Sequence, residues 1–80
     1  MDEGTGSKPV LRVVVERRKM GLSQAALARA AGINQTSMSK VERGLEPAFP
    51  YRGKRIAEAL GWEGNPDDLF KVEESSYERY

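Results

Sequence analysis

The stretch Leu22-Ser-Gln-Ala-Ala-Leu-Ala-Arg-Ala-Ala-Gly-Ile-Asn-Gln-Thr-Ser-Met-Ser-Lys-Val-Glu-Arg-Gly44 decides the fold. Ser23 stands where an N-cap belongs, with a hydroxyl able to accept a bond from a free amide of the first helical turn. Behind it Ala25, Ala26, Leu27, Ala28, Ala30 and Ala31 are mostly strong helix formers. Leu27, Ala30 and Ala31 recur at helical spacing, which predicts a narrow apolar face that lets another helix pack close. Gly32 can take a positive φ, so it ends this helix and turns the chain. Ile33 then points back toward the core, and Asn34 caps a second helix. Met38 and Val41, three apart, continue the buried face, and Gly44 ends it. The opposite face carries Gln35, Thr36, Ser39, Lys40 and Arg43, all hydrogen-bonding side chains. The reading is two short helices, over about 23–31 and 35–43, joined by a tight glycine turn.

Working outward, the sequence predicts helix 1 from Ser7 or Lys8 to Lys19 or Met20, with Pro9 in the first turn, where a missing amide costs little. Val13, Val14 and Val15 are β-branched and favour a strand. The basic run Arg17-Arg18-Lys19 and the length favour a helix, with Leu11, Val14 and Val10 or Val13 facing the core. Pro47 and Pro50 make residues 45–50 a stiff loop. Helix 4 runs from Tyr51 or Arg52 to Leu60, with Ile56, Ala57 and Leu60 inward, Gly53 weakening its first turn and Gly61 ending it. Asn65 as cap, Pro66 at the first position and the acids Asp67 and Asp68 mark the start of a short helix 5, with Leu69 and Phe70 docking on the core. Residues 1–7 hold little to bury and are expected to be disordered. Residues 71–80 form an acidic tail that is either disordered or an extension of helix 5. The expectation is therefore one all-α domain over 8–70.

Composition narrows the function. Eighty residues suit one small core. The sequence has no cysteine and no histidine, which removes disulfides, thiolate metal sites and the usual general base. A glycine-rich phosphate loop and a cluster of acids are also missing, so the reading is not an enzyme and includes no cofactor or metal. Asp67 and Asp68 read as helix-start acids. No apolar run reaches membrane-spanning length, and the first residues lack the features of a signal peptide, which points to the cytoplasm. The net charge of +1 hides an asymmetry: −2 over residues 1–7, +8 over 8–55 and −5 over 56–80. A basic body with an acidic tail points to an anionic partner for the body, against the alternative of a solvated mixed surface.

The joint pattern S-Q-x-x-L-A-x-x-A-G-I followed by N-Q-T-S-M-S-K-V-E-R-G resembles the helix-turn-helix of the lambdoid phage repressor and Cro family, over roughly residues 10 to 70. The resemblance implies a compact five-helix domain whose third helix lies in the DNA major groove. It makes Gln35 an adenine reader, Thr36 a second base contact, Lys40 a guanine reader and Ser39 a marginal one. It assigns phosphate contacts to Gln24, Ser23, Asn34 and Arg43, with Gln24 also bracing Gln35. Arg17 and Glu42 match a buried ion pair tying helix 1 to helix 3, with surface charges as the alternative. The chain departs from the family at Leu45-Glu46-Pro47, where the phage repressors are more basic. Arg52, Lys54 and Arg55 would then restore phosphate contacts from the start of helix 4.

The resemblance further implies a transcriptional regulator, repressor-like, that binds a double-stranded operator as a homodimer. Trp62, Leu69, Phe70, Tyr77 and Tyr80 are the available dimer surface, although Trp62 and Phe70 can equally fill the core. A second reading is the antitoxin of a toxin–antitoxin pair, with the tail from Val72 to Tyr80 folding onto a partner protein. A third is a protein-interaction module that lost DNA binding, which the +8 body argues against.

Overall fold

The structure, a computed structural model, describes residues 10–73. In chain order these form β1 (Val10–Leu11), α1 (Arg12–Lys19), α2 (Gln24–Ala31), α3 (Gln35–Glu42), α4 (Arg52–Leu60), a 3₁₀ segment (Pro66–Phe70) and β2 (Val72–Glu73). The readings that fall on residues 1–9 and 74–80, including the first residues of helix 1 and most of the acidic tail, lie outside the described residues.

Helix 1 begins later than its sequence predicts. Val10 and Leu11 are extended and pair antiparallel with Val72 and Glu73, Val10 opposite Glu73 and Leu11 opposite Val72. Leu11 occupies the N-cap position and offers no capping side chain. The Arg12 amide is satisfied from the far end of the chain instead, by the Lys71 carbonyl at 2.9 Å. The β-branched residues Val13, Val14 and Val15 lie within α1, as the sequence predicts, and the extended start at Val10–Leu11 is set by the returning strand that pairs with it.

The fifth helix is also not an α-helix: the described residues contain four, followed by the 3₁₀ segment. Its start is the one the sequence predicts, with Asn65 Oδ1 accepting from the Asp67 amide at 2.9 Å and Pro66 in the first turn. The segment spans five residues before Lys71 straightens to enter β2, and a tight i→i+3 pattern suits so short a piece. The tail thus does not extend a helix at Val72–Glu73.

The core gathers from every helix. Val13, Leu27, Met38, Val41, Ile56 and Leu69 are essentially inaccessible, and each contributes about 1.5–3 kcal/mol of burial. On α2 the buried face is Leu27, Ala28 and Ala31, while Ala30 is exposed. The face is turned relative to the predicted one because α2 packs against both α3 and α4. Gly53 is buried in α4 for a reason its sequence does not show. A Cβ there would stand 2.6 Å from Phe49 Cζ, so the missing side chain is the space the ring fills. Phe49 in turn meets Phe70 edge-on, with centroids 5.5 Å apart. Trp62 packs against the core too, donating from Nε1 to the Asn65 carbonyl at 3.0 Å, with the Arg12 guanidinium 5.3 Å from its ring centre. Trp62 and Phe70 are thus both partly buried against the core. No helix among the described residues is long and apolar enough to cross a membrane.

Candidate nucleic-acid interface

The geometry of α2 and α3 is set by three local devices. Ser23 Oγ accepts from the Ala26 amide at 3.0 Å and starts α2. Gly32 at φ 72° closes it, in the left-handed region that a residue with a Cβ enters at a cost. The Ile33 amide then bonds back to the Ala28 carbonyl at 2.9 Å, fixing the turn. Asn34 Oδ1 accepts from the Ser37 amide at 2.8 Å and starts α3. These caps are the ones the sequence predicts.

A buried network holds α1, α2 and α3 together. Glu42 is 7 % exposed. Its carboxylate accepts Arg17 Nε at 2.7 Å, Arg17 Nη2 at 3.1 Å and Gln24 Nε2 at 3.0 Å. Arg17 Nη1 also donates to the Leu22 carbonyl at 3.0 Å, in the turn before α2. The predicted Arg17–Glu42 pair is thus present and partly buried. Gln24 joins it: its amide is directed to Glu42, with no hydrogen bond to Gln35 among the described residues.

With Met38, Val41 and Glu42 inward, α3 turns its other face out. Asn34, Gln35, Thr36 and Arg43 are exposed, and Ser39 and Lys40 are half-buried. The exposed residues recur at helical spacing on one side, and nothing apolar interrupts them. Lys40 Nζ lies 3.7 Å from Glu46 Oε2, and Arg52 Nη1 lies 3.6 Å from Glu46 Oε1. Arg52 is therefore on the same side as Lys40. Lys54 and Arg55 are exposed and line a shallow depression with Pro47, Phe49, Pro50 and Tyr51.

Sequence reasoning missed two residues here. Arg18 is exposed and lines an open groove with Gln24, Ser39 and Arg43. The signal was the basic run at 17–19, which served only to define helix 1. In the sequence Glu46 marks only a departure from a basic loop, and its bridging position depends on how that loop folds.

Two short helices meeting through a glycine turn, the second with a locked inner face and a polar outer face, define a helix-turn-helix module. The chain belongs to the helix-turn-helix domain family, whose pattern it matches over residues 10–69, more than half its length. No curated protein and no solved structure shows a significant match to it.

Proposed function

We propose that the protein is a sequence-specific transcriptional regulator of the phage-repressor and Cro type, which reads the DNA major groove with α3. The outward face of α3 carries this reading. Gln35 and Thr36 stand exposed at its N-terminal end, where helices of this kind meet base edges. Gln35 suits adenine, Lys40 guanine, and Thr36 a thymine methyl or a single hydrogen bond, with Ser39 beside them. Ser23, Gln24, Asn34, Arg43 and Arg52, with Lys54 and Arg55, supply phosphate contacts and the salt-dependent part of the affinity. The protein acts as a homodimer, each α3 reading one half-site, the half-sites about one helical turn apart.

Selection of bound sequences from a random duplex pool, followed by the salt dependence of the winner, tests this. A palindromic motif with a steep negative salt slope is the expected result. Failure to enrich any sequence overturns it.

The charge of −5 over residues 56–80 supports a second reading, an antitoxin that binds its own promoter and a partner protein through its tail. A neighbouring reading frame encoding a toxin distinguishes the two.

A further inference from the structure

The loop leaving α3 folds back on the helix. The Leu45 and Glu46 amides both bond to the Lys40 carbonyl, at 2.8 and 3.4 Å. That fold-back inserts the Glu46 carboxylate between cations of two different helices, Lys40 of α3 and Arg52 of α4, at 3.7 and 3.6 Å. Oε1 of Glu46 is buried and accepts no hydrogen bond among the described residues. It meets Arg52 through charge at 3.6 Å, without a hydrogen bond.

Residues 8–55 contain three acids. Glu16 pairs within α1 with Arg12 and Lys19, at 3.1 and 3.6 Å. Glu42 is committed to Arg17 and Gln24. Glu46 differs from both, because both of its partners are cations of the face proposed to meet DNA. The geometry points to Glu46 as an internal stand-in for a DNA phosphate, which occupies Lys40 and Arg52 in the free protein and releases them only to a competing anion or base edge. This inference rests on the DNA-binding reading above and adds a specificity-determining residue to it.

The consequence follows from what drives each kind of binding. Non-specific association is almost wholly phosphate neutralisation and counterion release. A fixed carboxylate beside two of the neutralising cations weakens that term directly. Base contacts from Gln35 and Thr36 do not pass through Glu46 and keep their value, and at the operator the guanine edge that Lys40 reads draws Lys40 away from Glu46. Glu46 therefore lowers affinity for random DNA more than for the operator, and so widens the ratio between them, which is the quantity that matters among many competing sites.

The experiment measures binding of the full chain and of Glu46→Gln to a random-sequence duplex and to the selected operator, by fluorescence anisotropy over a range of salt. Glu46→Gln keeps the side-chain shape and removes the charge; Glu46→Ala serves as a second variant with the same expectation. The expected result is random-duplex binding tighter by about tenfold at low salt. The salt slope steepens by about one unit, and the gain on the operator is smaller. Placed on an Arg52→Gln background, the same change gains only about threefold, because one of the two released cations is gone. Unchanged affinity and slope, with the wild-type chain binding DNA, overturn this inference and leave the DNA reading standing. Weaker binding of Glu46→Gln to both duplexes makes Glu46 a support for the interface and also overturns it. Absence of binding by every variant overturns both readings.

Discussion

Arg17 of α1 and Glu42 of α3 meet through two parallel hydrogen bonds, Nε to Oε2 at 2.7 Å and Nη2 to Oε1 at 3.1 Å. Their side chains are 11 % and 5 % exposed. The pair is shielded from water, and Gln24 and the Leu22 carbonyl take up further bonding capacity. Removing one partner strands a charge in the interior. Glu42→Leu or Arg17→Met alone should each destabilise the fold by about 3–5 kcal/mol, read from chemical denaturation. The double variant should recover much of the loss, since an apolar pair of similar volume replaces a costly desolvated one. Equal losses that simply add would show that the two residues do not act as a pair.

Gly53 and Phe49 form the second tightly constrained pair. In an open helix, Gly to Ala gains about 1 kcal/mol. Here the new Cβ would meet the Phe49 ring at 2.6 and 2.7 Å, and overpacking of this kind costs about 1–3 kcal/mol. The clash is the larger effect, so Gly53→Ala should lower the melting temperature. A Phe49→Leu background should reduce the penalty of Gly53→Ala. A higher melting temperature for the single variant would mean that the ring moves aside freely.

Asn34 separates two roles that its position combines. Its Oδ1 caps α3 at 2.8 Å from the Ser37 amide, so Asn34→Ala should cost about 0.5–2 kcal/mol of stability. Asn34→Asp keeps a good cap but sets a negative charge where a phosphate contact is proposed. It should leave the melting temperature close to wild type and weaken binding to every duplex. An Asp variant that binds DNA as well as wild type would leave Asn34 as a cap alone.

How much of this was legible depends on the range over which each feature is encoded. Ser23, Gly32 and Asn34 act on amides and torsions within a few residues, and their effect could be read directly from the sequence. The buried faces of α3 and α4 follow from spacing within single helices. The strand at Val10–Leu11 depends on Val72–Glu73 returning from the other end of the chain, which no local pattern announces. Gly53 reads as a weak helical residue until Phe49 is seen to fill its missing side chain. The exchange of Ala30 for Ala28 on the buried face of α2 has a similar origin, since α2 serves two neighbours. At the interface, the polar face of α3 was evident in the sequence. The bridge from Lys40 through Glu46 to Arg52 was not, because it is made by a loop folding back on α3.

Gln35 is exposed at the first position of α3. If it reads an adenine through both groups of its amide, Gln35→Ala should relax selectivity at one base position by about 1–3 kcal/mol. Affinities for the operator and its single-base variants, measured side by side, show this as a flattened preference at one position with the others intact. A uniform loss across all sequences would instead make Gln35 a phosphate contact.

Arg43 follows α3 as its C-cap residue, exposed, with Nε loosely directed to the Ser39 carbonyl at 3.4 Å. So long a contact holds the guanidinium weakly and leaves it free to turn toward a phosphate. It also lines the groove that contains Arg18, Gln24 and Ser39, so it lies beside the reading face. Arg43→Ala should therefore weaken binding to operator and random duplex by the same factor, and reduce the magnitude of the salt slope by about one unit. Stability should change little, because neither burial nor a strong hydrogen bond is lost. A slope equal to wild type would remove Arg43 from the phosphate contacts. A loss confined to the operator would place it among the base readers.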